Sequence, residues 1–338
     1  MKNNKNNKKL KFGGFKEMAE KTEFMNYAYF DKKIVEFEKA TVSIATHSLQ
    51  YGTTCFGGLR GYYRNGKVVI FRLKDHYERL MLASKMLGFE FFISWEEFYD
   101  IVVELVNKNN VKEDFYMRPF VFCKEPRLSP KKAGLTFDLA IYMLPLADYV
   151  NSENGLKSMR STYRKYNDSA IPTKAKAGGS YINSFLATSD AQRNGYDDAL
   201  MFDDTGSVVE VSVANIIVIY RGEVIIPDTG NAALEGITLR SALEILEYNG
   251  YKINRGKVDR SMIFTADELL ITGTAMKVLF AESLDQRPIG KLNYSEKGIS
   301  GQFHQLLKLE YEKIPESILQ LEISQLLRLP LNLDWQNI

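Results

Sequence analysis

Between Ala199 and Ile226 the chain repeats one short pattern, and that pattern limits what it can fold into. Apolar, β-branched runs (Ala199 to Phe202, Ser207 to Val211, Asn215 to Tyr220, Glu223 to Ile226) are separated by Asp203-Asp204-Thr205-Gly206 and Arg221-Gly222. Short β-branched runs bounded by turn residues read as strands, and turns that short join antiparallel neighbours, so two hairpins are expected. Helical stretches stand elsewhere. Leu80, Ala83 and Leu87 share one face, and Phe98, Ile101, Val102 and Leu105 recur behind a Ser94-Trp95-Glu96-Glu97 capping box. Thr238 to Tyr248 and Gln302 to Lys313 read as helices, and Ile318 to Leu329 as a further apolar helical stretch. Lys67 to Arg72, Phe137 to Leu144 and Leu269 to Thr272 read as strands. Hairpins with scattered helices give an α+β fold rather than a doubly wound sheet.

The chain has 338 residues, 45% of them hydrophobic, which is enough for two domains. The expected division is a Lys/Asn-rich extension over 1–20, read as disordered, a small N-terminal domain over 21–144, a polar linker over 145–155, and a large C-terminal domain over 156–338. A net charge of +2 gives no field for nucleic acid. No apolar run spans a bilayer and the basic start lacks the core of a signal peptide, so a cytoplasmic protein is expected. Two cysteines, Cys55 and Cys123, read as reduced core thiols. Three histidines without ligand spacing make a metal site an unfavourable reading.

The chemistry concentrates in Thr173-Lys174-Ala175-Lys176-Ala177-Gly178-Gly179-Ser180-Tyr181. Small residues leave room beside Lys176, and a desolvated lysine is a nucleophile toward an aldehyde such as that of pyridoxal phosphate. The alternative is a solvated lysine pair on a surface turn. Gly236-Ile237-Thr238 opens a helix, and Gly273-Thr274-Ala275 ends a strand; either could hold a phosphate or simply cap its element. Arg72 ends a strand and could fork onto the same anion. Glu210 lies among valines and, if buried, needs a partner such as a protonated ring nitrogen; on a surface strand it would not. Tyr116 and Arg118 point to one strand face and suit a carboxylate. Asp204-Thr205-Gly206-Ser207 matches an aspartic-protease signature that Asp228-Thr229-Gly230 repeats, but both are also good turn chemistry and are taken as turns.

Taken in order, Tyr51 to Arg60, Phe71-Arg72 with His76 and Arg79-Leu80, Tyr116 to Pro119, Ile171 to Tyr181, Glu210, Gly236 to Thr238 and Gly273 to Ala275 form a recognisable set. It resembles the class IV aminotransferases, the fold-type IV pyridoxal-phosphate enzymes, and within them the branched-chain amino acid group, over roughly 25–310. The resemblance implies a small N-terminal α/β domain and a larger C-terminal domain of β-sheet or barrel with helices, with the cofactor between them and a homodimer or higher homo-oligomer as the unit. It implies Lys176 as the Schiff-base lysine and Arg72 as a phosphate ligand, with Ile237, Thr238 and Thr274 completing the phosphate cup. Tyr181 would bond the cofactor's phenolic oxygen, Glu210 its ring nitrogen, and Leu234 would lie under the ring. Tyr51, Phe56 and Tyr149 would wall the side-chain pocket, and Tyr116, Arg118 and the amides near Ala275 would take the substrate carboxylate. The implied substrates are a branched-chain L-amino acid (Leu, Ile, Val), used in branched-chain amino acid biosynthesis, and 2-oxoglutarate. Aminodeoxychorismate lyase and D-amino acid aminotransferase chemistry belong to the same fold, and a non-catalytic cofactor-binding relative is the alternative of another class.

The sequence departs from the family pattern at Gly57, where glutamate is common, and at Val211-Ser212-Val213-Ala214, where small Gly-rich residues and a glutamate are usual. Leu146 replaces a frequent tryptophan, Met276-Lys277 follows the Gly-Thr-Ala turn, and Lys174 adds a second lysine. These changes fall on the expected substrate side.

Overall fold

The computed structural model describes residues 22–146, 155–228, 232–290, 301–320 and 336–337. The expected linker lies mostly outside them, as does the part of the last apolar stretch beyond residue 320.

Two sheets organise the chain. The first holds β1 (Tyr27–Phe30), β2 (Lys33–Glu36), β3 (Thr54–Phe56), β4 (Leu59–Arg64), β5 (Lys67–Ile70), β6 (Phe115–Phe122) and β7 (Asp138–Pro145). Its strands run β5-β4-β6-β7-β1-β2, all antiparallel, with β3 on β6. The second holds β8 (Leu156–Arg164), β9 (Asp198–Phe202), β10 (Val208–Val211), β11 (Asn215–Tyr220), β12 (Glu223–Pro227), β13 (Ile253–Gly256), β14 (Glu268–Gly273), β15 (Lys277–Leu284) and β16 (Arg287–Pro288). Its order is β10-β9-β8-β15-β14-β11-β12-β13, with β16 on β15. Both expected hairpins are present as β9–β10 and β11–β12. The same sheet also carries parallel pairs, β8–β9, β8–β15 and β12–β13, which local patterning does not reveal. The end of the chain returns to the first sheet, where β17 (Gln336–Asn337) pairs with the edge strand β5. The C-terminal stretch is thus not confined to the second half.

Helices cover the sheets. On the first sheet lie α1 (His47–Tyr51), α2 (Leu73–Met86) and α3 (Trp95–Lys108). The α3 stripe Phe98, Val102 and Leu105 is fully buried, and Ser94 Oγ accepts from the Glu97 amide at 3.1 Å as its cap. The second sheet carries α4 (Tyr181–Arg193), α5 (Ile237–Tyr248), α6 (Arg260–Phe264) and α7 (Gln302–Gln320). On α5, Ala242, Ile245 and Leu246 face inward, and Leu307 of α7 packs beside them. Glu268 caps α7, accepting from the amides of Phe303 and His304 at 3.0 Å each.

One core spans both halves. Tyr62 of β4, Val69 of β5 and Phe71 just beyond it pack with Val278 and Phe280 of β15 and with Phe303 and Tyr311 of α7, and the Phe71 and Tyr311 rings lie 5.3 Å apart. Each buried aromatic contributes about 1.5–3 kcal/mol, so the two sheets are held against each other rather than merely tethered.

The Asp203 carboxylate accepts from the Thr205 and Ser207 amides within its own hairpin, so that signature is a turn, as expected. The second copy falls partly outside the described residues. Both cysteines are buried free thiols.

Candidate active site

Lys176 hangs between two short 3-10 turns, Thr173–Ala175 and Gly178–Ser180. Its own backbone is left-handed, with φ 46°. The loop is pinned to the first half: the Phe56 amide donates to the Lys176 carbonyl at 3.3 Å, and the Gly179 amide to Gly52 O at 3.3 Å. Gly52 has φ +65°, and a Cβ there would stand 2.5 Å from Gly179 Cα, so only glycine lets the segments touch. α4 begins at once after the loop and brings Tyr181 back, with Lys176 Nζ donating to its hydroxyl at 2.8 Å.

Lys176 keeps some surface open to a cleft, yet protein atoms surround its amine. Burial, reinforced by the Arg79 charge, pulls its pKa down to about 7. The Tyr181 hydroxyl is pushed up to about 12, by burial first and then by Glu210. Phe56 closes one side, its ring 5.1 Å from Lys176 Nζ and 4.8 Å from the Tyr181 ring. Lys174 points elsewhere and pairs with Glu235 at 3.2 Å.

The cleft encloses about 650 Å³ when the space at its open mouth is included. It is lined by Lys176, Tyr181, Glu210, Leu234, Ile237, Thr238 and Thr274, so seven residues expected from the sequence share one space. Glu210 follows a register shift in the β9–β10 pairing, a bulge that sets its direction, and it is buried. Lys165 Nζ lies 2.6 Å from its Oε1, and Asn215 Nδ2 donates to Oε2 at 2.9 Å. Burial pushes the Glu210 carboxyl up, and Lys165 and Asn215 pull it back. Burial likewise opposes the Lys165 charge, but Glu210 outweighs it and holds the ammonium above its ordinary value.

At the far end α5 presents its N-terminus, with Gly236 as the N-cap and no capping side chain. Thr238 is buried there, and the buried Thr272 hydroxyl has no hydrogen-bond partner. Arg79 of α2 lines the same end, with Nη2 donating to His76 Nδ1 at 3.4 Å. Burial brings its guanidinium down to about 10, still charged at neutral pH. Arg72, expected as a phosphate ligand, does not line the cleft. Its guanidinium is spent on Asp75, Ser241 and Glu244 at 2.6–3.1 Å. Arg79, present in the sequence set but given no role there, stands in the expected place.

Beside Phe56, Arg118 stacks 4.5 Å over its ring and donates to the Tyr116 hydroxyl at 2.9 Å through Nη2. Arg118 has no ion-pair carboxylate among the described residues. Gly58 is packed on the same hydroxyl: a Cβ there would fall 2.0 Å from it. At Gly57 a Cβ would meet Pro119 Cγ at 3.1 Å. Arg60, not singled out from the sequence, reaches across and donates to Thr274 O at 3.1 Å and Ala275 O at 2.7 Å. Tyr51 sits apart, 38% exposed, with its ring 4.7 Å from His47. Tyr149 lies outside the described residues. Val213, one of the departures, lines the cleft and is 45% exposed.

The donor set fits an aromatic phosphate that carries an aldehyde. An uncapped helix N-terminus, threonine hydroxyls, one of them without a partner, and Arg79 suit a phosphate dianion. A buried carboxylate suits a protonated ring nitrogen, and a lysine with depressed pKa suits the aldehyde.

Comparison with known proteins agrees. The family model described as amino-transferase class IV matches residues 54–284. The probable branched-chain-amino-acid aminotransferase of Aquifex aeolicus (strain VF5) is 36% identical over 269 residues, covering 79% of this chain and 86% of that one. The crystal structure of a branched-chain aminotransferase from Thermoproteus uzoniensis with norvaline superposes with a TM-score of 0.80 at 32% identity, covering 86% of this chain and 95% of that one. The branched-chain amino acid aminotransferase of Thermobaculum terrenum, solved in its PLP-form, gives 0.80 at 27% identity, covering 86% and 94%.

Proposed function

The chain belongs to the class IV aminotransferases, and from that premise we propose that it moves an amino group between a branched-chain L-amino acid and 2-oxoglutarate, with pyridoxal phosphate as cofactor. The observation that carries this is Lys176: an amine lowered to about 7, beside Tyr181, in one cleft with Glu210 and an uncapped helix N-terminus.

When bound, pyridoxal phosphate supplies a ring that spreads the negative charge left on a substrate's Cα. The protein does the rest. Lys176 Nζ would hold the cofactor through its aldehyde and, when free, would take the proton from the substrate's Cα as a general base. Tyr181 holds that amine in place through its hydroxyl. Glu210 keeps a proton at the ring nitrogen, steadied by Lys165 and Asn215. Leu234, which lines the cleft, would cover one face of the ring and keep water from it. Arg79, Thr238 and the first amides of α5 hold the phosphate. Tyr116 and the Thr274–Ala275 turn, fixed by Arg60, receive the α-carboxylate. Phe56 offers an apolar wall to a branched side chain. Arg118, half-buried and without an acidic partner among the described residues, suits the distal carboxylate of the second substrate. No described helix is long and apolar enough to cross a membrane. A dimer in the cytoplasm completes the proposal.

The test is an absorption spectrum of the purified protein before and after L-leucine. A visible band that bleaches into the ultraviolet is expected. Retained turnover in Lys176→Ala, or a protein that takes up no pyridoxal phosphate, overturns the proposal.

A further inference from the structure

The Arg72 side chain is 4% exposed, and its guanidinium makes four hydrogen bonds and crosses between the two halves. Nε donates to Asp75 at 2.6 Å, one turn along α2. Nη1 donates to Ser241 Oγ at 2.7 Å and to Glu244 at 3.1 Å, and Nη2 to Glu244 at 3.0 Å, all on α5. Arg240 of α5 closes the ring, reaching back to Asp75 at 2.5 Å. Two guanidinium groups and two carboxylates leave the cluster neutral, so it offers no surplus charge to an anion.

What it joins is the point. α2 carries Arg79, seven residues beyond Arg72, about two helical turns or 10 Å along the axis. α5 carries Gly236, Ile237 and Thr238 at its N-terminus. Ser241 links the cluster to that terminus, since its hydroxyl also donates to Ile237 O at 3.0 Å. The Tyr311 hydroxyl of α7 bonds Thr238 and Ser241 as well. The backbone of Arg72 is left-handed, φ 52°, which turns its side chain from the end of β5 toward α5. A non-glycine residue holds that conformation only where its surroundings enforce it.

We propose that Arg72 is a positioning residue: with Asp75, Glu244 and Ser241 it bolts α2 to α5 and so sets the distance between Arg79 and the α5 amides, the two halves of the anion end of the cleft. This rests on the functional reading above. The bolt touches neither the lysine nor the ring-facing residues, so its loss weakens the hold on a phosphate and spares the rest of the ligand.

The experiment titrates cofactor-stripped full-length protein with pyridoxal phosphate and, separately, with pyridoxal, which lacks the phosphate. Arg72→Gly keeps the left-handed backbone and removes the guanidinium. The expected result is a loss of about tenfold or more in affinity for pyridoxal phosphate, with affinity for pyridoxal within about twofold of wild type. Equal losses for both compounds, or no loss, overturn the inference. If Arg72→Gly does not fold, Glu244→Ala on the outer side of α5 is judged by the same selective loss, at about threefold. A wild-type protein that binds neither compound instead overturns the functional reading, which separates the two failures.

Discussion

Lys165 Nζ and Glu210 Oε1 stand 2.6 Å apart in the cleft that also holds Lys176. Both lysines are enclosed by protein, yet their acidities move in opposite directions. Lys165 is held above its ordinary value by Glu210, whereas Lys176 falls to about 7 because Arg79 adds to the effect of burial. A carboxylate in contact, rather than burial, decides which amine is free to attack.

Replacing Lys165 with Met leaves Glu210 buried without its cation. Breaking such a pair costs about 3–5 kcal/mol, readable as a lower urea midpoint. The carboxyl then keeps its own proton more readily, and kcat falls by about tenfold or more. Lys165→Arg restores most of both. A Met variant with wild-type kcat and midpoint would remove Lys165 from the site.

The low pKa of Lys176 gives a pH signature. Its neutral fraction rises through about pH 7, so the rate of aldehyde capture by the cofactor-stripped protein climbs there and levels off above. Stability follows by linkage. Between about 7 and the ordinary 10.5 the unfolded chain holds a proton that the folded chain has lost, so raising pH across that window stabilises the fold. Lys176→Met abolishes turnover and flattens this part of the stability profile. An unchanged slope in the variant would refute the assignment.

Gly58→Ala puts a methyl group onto the Tyr116 hydroxyl and displaces it from Arg118. KM for the amino acid rises by about tenfold or more while pyridoxal phosphate affinity holds. Steady-state kinetics beside a cofactor titration will show whether the two separate.

Glu268→Ala removes the cap of α7. Loss of such a cap costs about 0.5–2 kcal/mol. Chemical denaturation should register that loss with kcat unchanged; a fall in kcat would mean α7 acts on the cleft.

The parts of the site that were legible in the sequence are contiguous. Lys176 and Tyr181 stand five positions apart and Gly236, Ile237 and Thr238 open one helix, so each forms a short motif that the family resemblance can pick out. Glu210 was legible through motif order, although its burial depends on a bulge no pattern announces. Arg72 was misplaced because Phe71-Arg72 and Arg79-Leu80 present equivalent arginines. What separates them is Glu244, 172 residues from Arg72. Lys165 went unremarked for a similar reason, since its carboxylate belongs to another strand. In the fold, the hairpins could be read from turn chemistry. The parallel pairings of β8 could not, because partners brought together by long crossovers leave no local trace.

Arg60 meets the Thr274 carbonyl across 214 residues of chain. A contact of that span cannot form until Thr274 itself has been synthesised. The Thr274–Ala275 turn thus has no fixed seat while the chain is still being translated, and an N-terminal fragment that folds early gains none. The carboxylate end of the cleft is accordingly the part assembled last, and a chain stopped before Thr274 leaves the Arg60 guanidinium without that seat however well its first sheet has formed.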